Sequence, residues 1–369
     1  MVNIDAKRIW LISDTHLGVR TNSREWMDVI EDYFKNTFIP LLKKESKPGD
    51  VLIHCGDVFD SRQSINLYVL NKGLDIFEEI TKIMPVYMIV GNHDIFMKFS
   101  NDINSLKLFK HMSDIHIYQE PTLAQLGPKK ALFMPWVEDS NEFAEIVNDP
   151  SNKADIMFCH TDIKGMSFNK FVKIEEGSDP DKFSHFERVY SGHIHYAQKY
   201  KNVRMLGSPY ELTRSDSGNK KSIWLLDLET NEETSFENTR SPKFVKFKLE
   251  WILEQSVERL QELFDNNFVD ILVTPTWSLK FPFSMFAEKF TGYRKINPII
   301  TEGEEVMTED GEIVESYEEI NLSNLIEKHI DTLPYSETVK ENLKKVSAKF
   351  YQETLKELEE KRSYENQID

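Results

Sequence analysis

Residues 8–18 read RIWLISDTHLG, an apolar run of strand length that ends directly in an aspartate and a histidine. Continuous runs of aliphatic and β-branched residues are typical of buried strands. Six further runs of this kind follow before residue 228: DVLIHC, VYMIV, DIMFC, RVYS, VRML and SIWLLDL. Between them, residues 65–83 carry apolar side chains at helical spacing. The sequence therefore predicts an α/β layered domain.

Polar clusters follow five of these runs, each at the carboxyl end of its predicted strand. In an open α/β sheet the carboxyl ends of the strands are where sites form, so we expect the five loops to converge. The clusters are Asp14 and His16; Asp57 and Asp60; Asn92, His93 and Asp94; His160; and His193 and His195.

The residue types in these loops indicate a metal centre. Carboxylate, imidazole and amide oxygen together suit a borderline divalent ion such as manganese, iron or zinc, and the lack of cysteine ligands disfavours a structural zinc site. Seven residues are candidate ligands: Asp14, His16, Asp57, Asn92, His160, His193 and His195. Seven ligands are too many for one tetrahedral ion and fit two ions that share a carboxylate. Any one of them alone is more typical of a turn or a core histidine, but the ordered set favours the metal centre.

The order D-x-H, G-D, G-N-H-D, H and G-H-x-H resembles that of the calcineurin-like metallophosphoesterase superfamily over roughly residues 7–230. The resemblance implies a four-layer α/β fold, a β-sandwich flanked by helices, with a dinuclear metal centre. Within the superfamily, SDTHLG, GDVFDS, GNHD, SGHIH and LGSPYELT are most similar to SbcD-type DNA repair and recombination nucleases, and especially to the phage recombination endonuclease subunits. Protein phosphatases of the superfamily show G-D-x-V-D-R-G and G-N-H-E instead. Some relatives carry a histidine where this chain has Asp60, which leaves the role of Asp60 open.

The resemblance also implies a role for each ligand. It assigns Asp14, His16, Asp57 and His195 to one metal ion and Asp57, Asn92, His160 and His193 to the other, with Asp57 as the bridge. The two divalent ions, expected to be Mn²⁺, would act by a two-metal mechanism of phosphodiester hydrolysis. His93, held by Asp94 at its other ring nitrogen and so able to stay charged, is the expected catalytic group at the scissile phosphate.

The net charge of −17 is unusual for a DNA-binding protein, because phosphate contacts need clustered lysine and arginine. Two basic strips answer this objection, one at 199–221 and one at 240–248. The candidate DNA-binding residues are Lys199, Lys201, Arg204, Arg214, Lys220 and Lys221. They would hold the backbone beside the metal centre without reading sequence. The alternative interpretation is a solvated basic face.

The sequence pattern changes after about residue 240. KFVKFKLE and VDILVTP alternate like strands, WILEQSVERLQELFDN and FSMFAEKFTGY have helical spacing, and together they predict a small α+β module. We therefore expect a metallophosphoesterase nuclease domain at 1–238, an α+β DNA-capping domain at 239–300, an acidic linker at 301–320 and a helical segment at 321–369.

The helical segment is the expected docking element for a partner, and packing back on the main domain is the alternative. Its candidate contact residues are Leu322, Leu325, Ile326, Leu343, Val346 and Phe350. The chain has no Walker A sequence of its own. The resemblance implies an SbcC-type coiled-coil ABC ATPase as partner, single- and double-stranded DNA ends as substrate, and homodimers formed through residues 65–83 and 102–112.

The cysteine content and the hydropathy of the chain indicate the cellular compartment in which the protein is expected. Cys55 and Cys159 lie in apolar runs and cannot form a disulfide framework, and no apolar run is long enough to cross a bilayer. The amino terminus lacks the features of a secretory signal. We expect a cytoplasmic protein, in the host cytoplasm if it is phage-encoded.

Three functions remain open at this point. The first is a DNA exo- and endonuclease subunit of double-strand-break repair and recombination, and the second is a phosphatase or small-nucleotide phosphodiesterase of the same superfamily. The third is a scaffold that kept the fold without catalysis. The complete ligand set disfavours the scaffold, and the two additional modules disfavour the phosphatase.

Overall fold

The computed structural model describes residues 1–170, 172–265, 267–274, 286, 289–290, 297–300, 306–307, 313–314, 330–331, 335–336 and 339–346. The chain divides into two compact units, residues 1–301 and residues 302–369. The predicted subdivision of the first unit at residue 238, and the separate linker and helical segment, stay predictions.

The described strands are β1 (Val2–Ile4), β2 (Arg8–Ile12), β3 (Asp50–His54), β4 (Val86–Ile89), β5 (Ile95–Met97), β6 (Ser100–Asn104), β7 (Ile115–Tyr118), β8 (Thr122–Leu126), β9 (Lys129–Met134), β10 (Ile156–His160), β11 (Arg188–Gly192), β12 (Gln198–Tyr200), β13 (Val203–Met205), β14 (Ser222–Asp227), β15 (Glu233–Glu237), β16 (Phe244–Lys248), β17 (Phe268–Val273), β18 (Asn297–Ile300), β19 (Val306–Met307) and β20 (Ile313–Val314).

The described α-helices are α1 (Val19–Asn22), α2 (Arg24–Tyr33), α3 (Ile39–Glu45), α4 (Leu67–Thr81), α5 (Ser140–Asn148), α6 (Leu249–Leu253) and α7 (Val257–Asp265). A π-helical segment, Phe34–Phe38, joins α2 to α3. Helix α4 begins where the Asn66 side chain accepts a hydrogen bond from the backbone N–H of Val69 (2.8 Å), so its amino end is capped. Among the described residues, no helix has the length and apolar character needed to span a membrane.

Two large sheets form the body of the first unit. One has the strand order β1-β8-β9-β10-β11-β13-β12, and the other has the order β15-β14-β2-β3-β4-β7. Strands β2, β3, β4 and β7 run parallel to one another, as do β9, β10, β11 and β13. Every apolar run that the sequence predicts as a strand before residue 228 is found in one of these sheets.

The alternation of side chains along β2 explains the layers. Ile9 and Leu11 belong to a core shared with Phe133 and Phe158 of the other sheet, whereas Trp10 and its neighbours pack on the opposite side, against α2 and α4. A third core lies beneath α5, on the outer face of the seven-stranded sheet. Because successive strand residues face opposite ways, one strand serves two cores, and the predicted four-layer arrangement is confirmed.

A smaller sheet follows the two large ones. Strand β17 pairs in parallel with β16 and with β18, and α6 and α7 contribute Leu249, Ile252, Leu260 and Phe264 to its own core. The α+β pattern predicted after residue 240 is therefore present, with the expected single helix divided in two around residues 254–256. Of FSMFAEKFTGY, residues 283–293, only 286, 289 and 290 are described, with 286 and 289 helical.

One described part of the predicted docking segment is helical, as the spacing of its apolar residues indicates. Residues 339–346 form a helix that carries Leu343 and Val346, and Val346 is exposed. The other candidate contact residues, Leu322, Leu325, Ile326 and Phe350, lie outside the described residues.

Candidate metal centre

The loops that carry the candidate ligands leave their strands with left-handed backbone conformations. Asp14, His16, Asp57 and His193 have φ values of 54°, 43°, 57° and 81°. Such conformations are uncommon for residues other than glycine and concentrate at functional sites. The loops follow β2, β3 and β4 in one sheet and β10 and β11 in the other, so the site is built across both sheets.

The first group of ligand atoms comes from Asp14, His16 and His195, which lie within 4.8 Å of one another. The Nε2 atoms of His16 and His195 are 3.0 Å apart. The Oδ1 atom of Asp14 accepts the backbone N–H of His193 (2.9 Å), while its Oδ2 atom is buried without a hydrogen-bond partner among the described residues. A buried carboxylate oxygen without a donor carries a full desolvation cost, which a cation at this point would offset.

The second group comes from Asp57, His160 and His193, again within 4.8 Å. His160 Nδ1 lies 2.7 Å from the carbonyl oxygen of Cys55 and donates to it. Its Nε2 atom lies 3.2 Å from Asp57 Oδ2 and 2.9 Å from Asn92 Oδ1, and Asn92 Oδ1 is also 2.9 Å from His193 Nδ1. In neutral His160, Nε2 would carry a lone pair that faces two oxygen acceptors, so this point requires a proton or a metal ion.

Both groups therefore fit divalent cations by their donor chemistry. Imidazole nitrogen, carboxylate oxygen and, in the second group, an amide oxygen converge on a point that lacks a positive charge. The structure brings together all seven ligand candidates that the sequence predicts. Asp14, His16 and His195 form one cluster and Asp57, His160 and His193 another, with Asn92 in contact with the second, while His93 joins His16 and Asp57 in a third. The assignment of these residues to two metal ions stays a prediction.

Asp57 is the residue that touches both groups. Its Oδ2 atom lies 3.2 Å from His160 Nε2 and 3.6 Å from His16 Nε2. Burial opposes its charge, but His160 and His16 hold the pKa of Asp57 well below its usual range. Burial likewise disfavours the charged form of His160, yet Asp57 and Asp14 outweigh it and raise the pKa of His160 to about 9. The site is a concentration of negative charge that needs cations.

The pKa of His195 shifts in the opposite direction to that of His160, because no carboxylate among the described residues hydrogen-bonds to its ring and His16 lies beside it. Burial and the adjacent His16 lower the pKa of His195 to about 4. The imidazole is therefore neutral at physiological pH, which is the form that binds metal ions.

The predicted pairing of Asp94 with His93 is wrong. Asp94 accepts backbone N–H groups instead, from Asp57 (2.9 Å), Phe59 (3.1 Å) and Gly91 (3.0 Å). Burial and the nearby Asp57 raise the pKa of Asp94 to about 7. Asp94 shapes the loop that presents Asp57 and does not touch the His93 ring.

His93 is held by a different group. Its Nδ1 atom lies 2.7 Å from the backbone carbonyl of Asp60 and donates to it, and its ring forms an edge contact with His16, with centroids 4.8 Å apart. One ring nitrogen lies within 4.8 Å of ligand atoms of His16 and Asp57. Burial lowers the pKa of His93, a shift that favours the neutral ring over the expected charged one.

Asp60, whose role the sequence leaves open, orients a candidate metal ligand. Its Oδ1 atom lies 3.1 Å from His16 Nδ1. Burial lowers the pKa of His16, but the hydrogen bond to Asp60 and the charge of Asp57 outweigh it, so the pKa is raised. A carboxylate on the far nitrogen of a ligating histidine fixes its tautomer and ring position.

Asp60→Ala is expected to lower metal affinity about 10- to 100-fold, because it removes the acceptor that orients His16. Asp60→Asn keeps an oxygen for the Nδ1–H of His16 and should remain within a few-fold of the parent chain. Both variants retain the backbone carbonyl that holds His93. Titration of Mn²⁺ into chelator-stripped protein, followed by calorimetry, measures the difference. Unchanged affinity in Asp60→Ala would contradict the orienting role.

Gly192 permits the close approach of the strand ends. A Cβ atom at this position would lie 2.1 Å from Ser13 Oγ and 2.4 Å from the Cys55 carbonyl oxygen. No side chain fits there without a shift of the backbone. This explains why a glycine precedes His193 and His195 at the junction of the two sheets.

Three supporting residues were not predicted. Asp162 Oδ1 lies 3.2 Å from His193 Nε2, and the ring of Trp136 lies 4.9 Å from that of His193. Buried Asp216 forms an ion pair with Lys221 (3.0 Å). Asp162 is only two residues after His160 in HTD, so its place near the site could have been predicted from the sequence. No sequence pattern marks Trp136 or Asp216.

The six candidate DNA-binding residues are not gathered beside the metal centre. Lys221 is 5% exposed and donates to the His195 carbonyl oxygen (2.8 Å), so it supports the metal loop and is not available to DNA, a correction of the prediction. Arg214 forms a double hydrogen bond with Asp270 (2.5 and 2.7 Å). Lys220 is exposed and lies 3.6 Å from Glu237. Lys199, Lys201 and Arg204 line a separate cavity.

One histidine outside the candidate ligand set and both cysteines lie in the core. His54 is fully buried, and burial lowers its pKa to about 3. Cys55 and Cys159 are buried free thiols.

Comparison with known proteins agrees with the geometry of the site. The family model described as calcineurin-like phosphoesterase matches residues 7–242. Exonuclease subunit 1 of Enterobacteria phage T4 is 26% identical over 337 residues, which are 89% of this chain and 93% of that protein. The SbcD subunit of the nuclease SbcCD from Staphylococcus saprophyticus is 22% identical over 258 residues, 60% of this chain and 66% of that protein.

Proposed function

Because this chain belongs to the calcineurin-like phosphoesterase family, we propose that it is the nuclease subunit of a DNA repair and recombination complex. It would hydrolyse phosphodiester bonds of DNA ends and strands as an exo- and endonuclease. The observation that carries the proposal is the pair of ligand groups that share Asp57. The similarity to a phage exonuclease subunit over 89% of the chain supports DNA as the substrate.

The proposed metal sites follow the two groups of ligand atoms. Asp14, His16, Asp57 and His195 would hold one ion, and Asp57, Asn92, His160 and His193 would hold the other. Two divalent cations, expected to be Mn²⁺, supply Lewis-acid activation of the phosphodiester and the attacking water, and offset negative charge in the transition state.

The proposed catalytic role of His93 rests on its fixed orientation. Because Nδ1 donates to the Asp60 carbonyl oxygen, Nε2 is the ring nitrogen left to exchange a proton with the reacting oxygens. Burial lowers the pKa of His93, although Asp57 opposes the shift, and this favours the neutral ring, in which Nε2 can accept a proton. Proton transfer by a positioned side chain typically contributes about 10² to 10⁴ in rate.

Partner binding is proposed for the segment at residues 321–369. Both relatives described above are named as subunits, and the chain has no Walker A loop. We propose a coiled-coil ABC-type ATPase as the partner, docked on the apolar residues of this segment. Leu343 and Val346 share a helix with partly exposed apolar surface, which is the kind of element that groove-binding partners recognise.

A homodimer is also proposed, through α4 and the segment that follows GNHD. Large apolar side chains are exposed on both: Leu67, Phe96, Met97, Phe99, Ile103 and Leu108. Phe99 and Leu67 are each 76% exposed. Exposed large apolar side chains that form a contiguous patch are typical of protein interaction surfaces.

The function is tested with the purified full chain, stripped of metal with EDTA. Labelled single- and double-stranded DNA and a small chromogenic phosphodiester are incubated with Mn²⁺, with Mg²⁺ or with EDTA, in the presence and absence of the ATPase. We expect Mn²⁺-dependent cleavage of DNA, and none with EDTA. Cleavage of the small ester alone would favour a small-nucleotide phosphodiesterase and contradict the nuclease proposal.

A further inference from the structure

A second polar cavity lies at the end of the sandwich opposite the candidate metal centre. Its volume is about 400 Å³, and Arg188, Tyr190, Lys199, Arg204 and Glu233 are among its lining residues. Arg188 begins β11, Gly192 ends it and Tyr190 lies at its middle, so the lining residue of β11 nearest to His193 is three residues, roughly 10 Å of strand, before it. The cavity is therefore distinct from the centre described above.

The pairing of two strands places two positively charged side chains next to each other in this cavity. Lys199 on β12 is directly opposite Arg204 on β13 in an antiparallel pair. Like charges directly opposite each other across a sheet are destabilising. Four basic and two acidic residues line the cavity, an excess of positive charge in a chain whose net charge is −17.

The acidic side chains of the cavity are already engaged. Glu233 accepts hydrogen bonds from Arg204 and from the Tyr190 hydroxyl (2.9 Å), and Glu187 is paired with Lys129 (2.6 Å). Glu233 also lies 3.5 Å from Arg188 Nη1, and its charge attracts Lys199, so one carboxylate is shared among three basic side chains.

Two donor groups at this site, the Nε–H of Arg204 and the ammonium of Lys199, lack a hydrogen-bond partner in the part of the chain that the structure describes. Arg204 Nε is buried and makes no hydrogen bond, with its guanidinium stacked 3.9 Å above the Trp224 ring. Lys199 is exposed and forms no hydrogen bond or ion pair there. A buried, unpaired guanidinium N–H costs free energy, and an anion that bound beside it would recover that cost.

We propose that this cavity binds a phosphate group, supplied by a nucleotide or by the backbone of a DNA strand. Guanidinium groups match the geometry of phosphate oxygens, and a lysine ammonium adds a mobile point charge. The volume exceeds that of a single small ion and lies within the range of ligand pockets. The inference rests on the cavity and its charges and does not require the nuclease activity proposed above.

Binding is tested in EDTA, so that no metal ion at the catalytic centre holds the phosphate. Inorganic pyrophosphate, deoxyadenosine monophosphate and a short single-stranded oligonucleotide are each titrated into the full chain. We expect Lys199→Glu to weaken binding about tenfold, equivalent to about 1.4 kcal/mol, and Lys199→Gln to weaken it less. Lys44→Glu, at a 79% exposed lysine of α3, is the matched control and should stay within twofold of the parent.

The pattern across the three probes identifies the source of the phosphate. Weakened binding of all three probes in Lys199→Glu supports a site for free nucleotides. Weakened binding of the oligonucleotide alone, with affinity that falls as salt rises, supports a backbone contact. Absence of binding by the parent chain, or equal binding by Lys199→Glu and Lys44→Glu, would overturn the proposal. Thermal melting of each variant confirms that the fold is kept.

Discussion

Asp57→Asn is expected to lower phosphodiester hydrolysis by about 10³-fold or more, a loss of roughly 4 kcal/mol of transition-state stabilisation. The carboxylate contacts both groups of candidate ligand atoms, at 3.2 Å from His160 Nε2 and 3.6 Å from His16 Nε2. Asparagine tolerates the left-handed backbone found at this position, φ 57°. It also keeps an oxygen for the backbone N–H of His93 (2.8 Å). The substitution therefore removes charge with little change of shape.

Metal titration separates this effect from a general loss of fold. Asp57→Asn should weaken binding of both ions, whereas His193→Ala and His195→Ala should each weaken one, because those histidines belong to different groups. Asp75→Asn, on the exposed face of α4, changes the net charge equally and serves as the control. Loss of only one ion in Asp57→Asn, with near-normal hydrolysis, would contradict the bridging role.

The strands and the positions of the candidate ligands are predictable from sequence, because both follow from the burial of the strands. A strand buried on both faces must be apolar along its whole length, so RIWLI and DVLIH stand out from their surroundings. A polar residue directly after such a run marks the strand end, and parallel strands bring their carboxyl ends together. Each predicted set of ligands, counted with Asp57, draws on three or more loops, so no single motif shows it, while the ordered set does.

The supporting residues are not predictable in this way, because their partners are remote in the chain. Asp94 directly follows His93, yet its carboxylate turns to the N–H groups of residues 57–59. That contact depends on how two loops from neighbouring strands meet. Lys221 appears as a surface cation in the sequence, but Asp216 and the His195 carbonyl oxygen bind it in the interior.

The distribution of charge reconciles an acidic chain with a polyanionic substrate. Much of the negative charge at the metal centre comes from buried carboxylates, Asp14 and Asp57, that would be neutralised by divalent ions. Several candidate basic residues are in turn paired with acids: Arg214 with Asp270, Arg204 with Glu233 and Lys201 with Asp181. Net charge alone therefore says little about the field that a DNA strand meets, since metal ions reverse its sign at the reacting point.

His93→Leu is expected to lower the rate of hydrolysis about 10²- to 10⁴-fold while both metal ions remain bound. The ring occupies a defined place, because Nδ1 donates to the Asp60 carbonyl oxygen at 2.7 Å and the ring edge packs on His16. Leucine fills a similar volume but cannot exchange a proton. His185→Leu, at an exposed histidine outside the motifs and outside the proposed dimer segments, is the matched control and should retain full activity.

Metal content distinguishes the two roles that the position of His93 allows. Its ring nitrogen lies within 4.8 Å of ligand atoms of His16 and Asp57, close enough for it to act as a ligand as well as a proton carrier. If His93 transfers a proton, His93→Leu binds two ions with unchanged affinity and loses activity chiefly in kcat. If it is a ligand, metal affinity falls and added Mn²⁺ restores the rate. We expect the first result, because the seven other ligands already complete two groups and the Nε2 atom of His93 is the ring nitrogen left for the substrate.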